Sequence, residues 1–128
     1  MKKSITFKDP ETGKDYELMY TIASLSKVER RLGRSLMYLI KAVLSGARSL
    51  NLVTIDFTID SVEEGLQNKP AGFSGADFVS DYCAKGGDLD TLNWYILQAM
   101  ILTGLFTTGT VQDAEAMLDG LNKLVPKA

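Results

Sequence analysis

Residues 88–106 read DLDTLNWYILQAMILTGLF, and no charged residue follows Asp90 in that run. Its large apolar residues fall on several faces of a helix. A helix of that pattern is covered on most sides, so this stretch predicts the central core helix. Leu92, Ile96 and Leu105 are expected to be buried. Asp88 or Asp90 is placed to cap the first turn, where unpaired N–H groups favour an anion. A membrane span needs about 20 predominantly apolar residues. Asn93, Gln98, Thr103 and Gly104 interrupt this run, which argues against one.

Working outward, the 128 residues suit one domain with a real core. With 45% apolar and 23% charged residues the composition is that of a globular chain. Cys83 is the only cysteine, so no intramolecular disulfide exists, and there is no histidine. A Cys/His zinc cluster and a histidine general base are therefore excluded within this chain. MKKSITF is not followed by a long apolar segment, so it does not read as a secretory signal, and a cytoplasmic location is expected. Residues 1–50 balance to +5 and residues 51–128 to −7. That separation suits packing of the two halves or head-to-tail association. The basic half lacks the aromatic-interleaved patch of a nucleic-acid binder.

Residues 4–22 alternate as a β-hairpin around the turn residues DPETGKD. Ser24 or Ser26 is expected to cap the next helix, Ser26 with Glu29 as a capping box. Leu25, Val28 and Leu32 form its apolar side. Gly33 breaks or ends it, Ser35 restarts it, and Leu36, Leu39, Ile40 and Val43 form the next stripe up to Gly46. Residues 50–67 fit both a strand and a helical period; a helix is favoured, with Asp60 and Glu63 as a possible capping box. NKPAGFSG is a loop, Ser74 or Gly75 starts a helix, and Gly86-Gly87 stops it. After the core helix, TTGT is a turn. Thr110 caps a last helix carrying Val111, Ala114, Met117, Leu118 and Leu121, ended by Pro126. The whole is an α+β fold, a mostly helical single domain over 1–128. Its hairpin covers 1–22 and its helical part 24–125.

The catalytic inventory is nearly empty. The carboxylate sets Asp56/Asp60/Glu63/Glu64, Asp77/Asp81 and Asp88/Asp90 read first as solvated faces and caps. Cys83, without a histidine partner, reads as a buried small residue. Trp94 and Tyr95 read as core. No cofactor or metal is expected, and binding, scaffolding or chaperoning is favoured over an enzyme.

Residues 20–46, YTIASLSKVERRLGRSLMYLIKAVLSG, resemble a segment of phage tail assembly chaperones. There a short strand leads to a leucine-glutamate helix and then to LGRSL. The matching positions are Leu25, Glu29, Leu32, Gly33, Arg34, Ser35 and Leu36. The order of later helices is also similar, so the resemblance extends over 20–106. The β-branched segment 50–60 departs from the family pattern. The resemblance implies a protein that binds the tape measure protein, and possibly the tail tube protein, during tail assembly in the bacterial cytoplasm. It implies absence from the finished virion, and in many relatives a longer frameshifted product. A structural tail subunit, such as a tube or connector component, and a bacterial regulatory or adaptor domain are the alternatives.

A client for such a chaperone needs an apolar face. The expected one is Leu36, Tyr38, Leu39 and Val43 with Tyr16 and Tyr20 of the hairpin, rimmed by Arg30, Arg31 and Arg34. A core role for the leucines and valine, and the last helix as the client face, are the competing readings. Self-association is expected to cover the face when no client is present.

Overall fold

Alternation at both ends of DPETGKD produces two antiparallel strands, β1 (Ser4–Lys8) and β2 (Asp15–Met19), with Ile5 opposite Leu18 and Phe7 opposite Tyr16. The computed structural model from which this is read describes residues 4–44 and 53–104. The expected burial of Leu105, the stop at Gly46, the turn at 107–110 and the last helix lie outside the described residues. Asp9 closes the turn: its carboxylate accepts the N–H groups of Glu11 and Thr12, each at 2.9 Å. Gly13 supplies the positive φ of 73° that the turn requires. Phe7 and Leu18 point into the core. The other edge of β2 is met by a bridge from Leu18 to Leu66 and by the Gln67 N–H on the Glu17 carbonyl.

Five helices follow among the described residues: α1 (Ile22–Leu32), α2 (Leu36–Leu44), α3 (Ile55–Gly65), α4 (Gly75–Ala84) and α5 (Leu89–Ile101). Together with the hairpin they make a single small α+β domain. The first cap corrects the sequence expectation. Thr21, not Ser24 or Ser26, caps α1, and Ser24 is its reciprocal partner in the capping box. Glu29 is thereby released from the cap, and its carboxylate instead accepts the Leu36 N–H at 2.8 Å, at the start of α2.

The ambiguous segment resolves as helix. Thr54 Oγ1 accepts the Phe57 N–H at 3.1 Å, so α3 starts five residues before Asp60, which stands mid-helix and is not a cap. The apolar alternation from Val53 to Ile59 loses because Phe57, Thr58, Ser61, Val62 and Gly65 form one buried helical face. Ser74 caps α4, and the Asp88 carboxylate accepts the Thr91 N–H at 2.8 Å to cap α5. In α5, Leu92, Trp94, Ile96, Leu97, Ala99, Met100 and Ile101 are all buried. The helix packs on the hairpin and on α3, and Tyr95 stacks on Phe7 with ring centroids 5.5 Å apart. It is the core helix that its sequence predicts.

One ion pair ties the hairpin turn to the far end of α4. Lys85 Nζ lies 3.1 Å from buried Asp9 and 2.9 Å from Asp81. The Asp9 pKa is held far below the usual carboxylate range, first by the Thr12 N–H, with Lys85 adding to it. The Lys85 pKa is raised, first by Asp81 and then by Asp9. A depressed carboxylate contributes stability present above its unfolded value, 3.8, and lost as pH falls through the folded one. A raised lysine contributes stability present below its unfolded value, 10.5, and lost as pH rises through the folded one. Asp9→Asn is therefore expected to lower the melting temperature between those limits. It should also flatten the loss of stability on acidification below the aspartate range. Melts of both proteins across pH test this; an unchanged acid limb would separate Asp9 from it.

Candidate interaction surfaces

The LGRSL residues form a joint. Gly33 ends α1 in the left-handed region, φ 65°, with its N–H on the Glu29 carbonyl at 2.8 Å. Ser35 Oγ accepts the Tyr38 N–H at 3.1 Å and opens α2. Leu36 is buried directly beyond it. Glu29 thus supports both helix ends, with its carbonyl on α1 and its carboxylate on α2. The chain turns here without leaving these N–H groups unpaired.

The expected client face is divided by this geometry. Leu36, Leu39 and Val43 lie in the core, 2 to 6% exposed, because they share with Ile40 the side of α2 that faces inward. Tyr20 is also core: its O–H donates to the Ser61 carbonyl at 2.6 Å, and burial pushes its pKa up. These four residues therefore present no ready surface in the folded domain, which corrects the expectation that they form one. Tyr38 is 62% exposed, and Met37, Arg30 and Arg34 are exposed with it. Arg31 is turned to a structural task. It pairs with Asp60 at 3.0 Å, Glu64 at 3.5 Å and Glu63, joining α1 to α3. Glu63 also accepts the Gly75 N–H at 3.0 Å, which, with Arg31, lowers its pKa. Burial raises that of Asp60. Asp60, Glu63 and Glu64 thus converge on one arginine, and Glu63 on a backbone donor as well.

Tyr16 is half-buried in an aromatic cluster, 5.0 Å from Phe78 edge to face and 5.5 Å from Phe7. With Phe73 and Phe78 it floors an open groove of about 580 Å³ between the hairpin, the 66–73 loop and α4. Leu66 and Pro70 add apolar surface. Asp15, Asp77 and Asp81 line it against a single ammonium, that of Lys14. Lys14 Nζ lies over the Tyr16 ring, 5.4 Å from its centroid. Sequence reasoning missed this groove. Its signal was Phe73 inside a loop of turn residues, followed by Phe78 between Asp77 and Asp81.

Cys83 is exposed, contrary to its reading as a buried residue. The buried side of α4 carries Val79 and Tyr82, and one further residue rotates about 100° away from it. Trp94 is buried and Tyr95 packs on the core, as their sequence setting predicts. Among the described residues no three His, Cys, Asp or Glu side chains are grouped to hold a metal ion. Among the same residues no helix is long and apolar enough to cross a membrane. No protein-family model, no curated protein and no solved structure matches the chain.

Proposed function

We propose that this protein is a non-enzymatic assembly chaperone for a long phage tail, binding the tape measure protein while the tail is built. The observation that carries the reading is the sequence from Tyr20 to Gly46, with its leucine-glutamate helix and LGRSL. The roles of those residues lend it support. Glu29, Gly33, Ser35 and Leu36 jointly set how α2 leaves α1, so the similarity falls on positions with a defined structural purpose. The absence of histidine from the sequence accords with a binding role.

Tyr38, Arg30 and Arg34 remain available as the exposed part of the client face. Charged residues at a rim act mainly on encounter rate and salt dependence. Co-expression with the tape measure protein of the same tail gene cluster is expected to yield a soluble complex. The purified tail should lack this chain. An Arg30→Glu, Arg34→Glu variant with unchanged circular dichroism should bind the client more weakly or with altered salt dependence. Binding identical in strength and salt response would take the arginines out of the interface. No complex at all would remove the chaperone reading, and the chain found in finished tails would replace it with a structural subunit.

A further inference from the structure

β1 leaves one edge of the sheet open. The Asp9 N–H bonds the Lys14 carbonyl at 2.8 Å, and the Glu17 carbonyl turns away from β1 to accept the Gln67 N–H at 2.9 Å. In an antiparallel ladder these two bonds fix the alternation. Ile5 and Phe7 exchange their backbone bonds with Leu18 and Tyr16, while Ser4, Thr6 and Lys8 direct theirs away from β2. The far edge of β2 is already met by Leu66 and Gln67. Among the described residues no strand lies on the far side of β1, and Thr6 and Lys8 are exposed there. An edge of unpaired N–H and C=O groups is a template for another strand.

We propose that β1 of a second copy pairs with this edge, antiparallel about a twofold axis at Thr6. Thr6 then faces Thr6, and Ser4 faces Lys8 in both directions. Every outward group of the strand finds a partner, because each facing pair exchanges two hydrogen bonds. No other register does this. A shift of two residues carries Ser4 or Lys8 past the end of the other strand, and an axis at Lys8 sets two ammonium groups against each other. The side chains agree with the backbone. Ile5, only partly buried, comes beside Phe7 of the other copy on the face that carries the core. On the outer face each Lys8 keeps Asp15 at 2.7 Å and meets Ser4, whose hydroxyl donates to Glu17 at 2.7 Å. An ammonium thus approaches the acidic side of the other copy, and neither charge has to leave its partner. A threonine pair across strands is favourable in itself. The contact uses the same edge on both copies and β2 offers no second one, so it stops at a dimer with one continuous sheet. This inference stands independently of the chaperone reading.

Sedimentation and hydrogen exchange over one concentration series test it. The average mass should rise from one chain to two and hold in about 0.5 M salt, because backbone bonds and not exposed charges carry the contact. The Thr6 and Lys8 amides should gain protection in step with the mass. Those of Ile5 and Phe7, bonded within the hairpin, should be protected throughout. Thr6→Pro deletes only an outward N–H, and proline is tolerated at such edge positions. Both copies lose a bond by symmetry, so the dissociation constant should rise about tenfold or more with circular dichroism unchanged. Thr6→Val, which keeps the N–H, should pair as the wild type does. In case the proline variant misfolds, Thr6→Lys and Thr6→Glu should each stay single, since like charges face across the axis, and an equimolar mixture of them should pair. Four results would each overturn the proposal. One is a wild-type protein of single-chain mass up to about 1 mM. Another is a Thr6 amide protected in the single chain, or protected only once the tape measure protein is added. A third is a folded Thr6→Pro variant that pairs as the wild type does. The last is folded charge variants that stay single when mixed.

Discussion

Ile96→Ala is expected to cost about 2–5 kcal/mol of folding free energy, the usual loss when a buried isoleucine is cut back and the site only partly collapses. Ile96 has no exposed surface, and Leu92 and Met100, one turn away on either side, have none either. The neighbours are held on both faces, by the hairpin and by α3, so little relaxation can refill the space. Domains of this size have about 5–15 kcal/mol in total. With a urea slope of about 2 kcal/mol/M, the midpoint should fall by about 1–2.5 M. Asp90→Ala, at an exposed position of the same helix, should stay within about 0.5 kcal/mol. A loss below about 0.5 kcal/mol at Ile96 would mean that α5 is not the centre of the core.

The second large effect lies where α3 meets Tyr20, the residue between β2 and the cap of α1. Gly65 is buried, and a Cβ built on it would fall within the ring of Tyr20. That ring is itself 4% exposed and anchored by its O–H on the Ser61 carbonyl. Gly65→Ala should gain about 1 kcal/mol from helix propensity. Against that, overpacking costs about 1–3 kcal/mol and the displaced hydroxyl forfeits about 1 kcal/mol more. The clash should win, with a net loss of about 1–3 kcal/mol. Denaturant melts of Gly65→Ala, Tyr20→Leu and the double variant close a cycle. The double variant should be more stable than the sum of the single losses predicts. Strict additivity, or a stabilised Gly65→Ala, would show that the ring does not press on this glycine.

Much of the fold was legible because local signals and burial agreed. The hairpin alternates around Asp9 and Gly13. α4 begins at Ser74 and ends before Gly86. α5 is apolar on several sides and starts at Asp88. The first cap was misread because Ser24, Ser26 and Glu29 satisfy the spacing of a cap as well as Thr21 does. Only the tertiary demand of the Leu36 N–H decides where Glu29 goes. In α3 the sequence carried two periods at once, and the buried face settled between them. The client face was the least legible part. Periodicity puts Leu36, Leu39 and Val43 on one stripe that omits Tyr38, but only the docking of that helix shows that the stripe faces the core and not a client. The groove was hidden for the opposite reason, since Tyr16, Phe73 and Phe78 come from three separate segments. Arg31 is set apart by its ion pairs with three carboxylates of α3.

The stacking of Phe7 on Tyr95 also sets a schedule for the ribosome. The two residues are 88 positions apart, and at 5–20 residues per second the helix that covers the hairpin follows it by about 4–18 s. Through that interval the inner side of the strands has no α5 to rest on, so a nascent chain stopped before residue 89 lacks the Tyr95 ring that stacks on Phe7. Ribosome-stalled chains of increasing length should pass abruptly from protease-sensitive to protected once α5 has cleared the exit tunnel, and not gradually as each earlier helix appears.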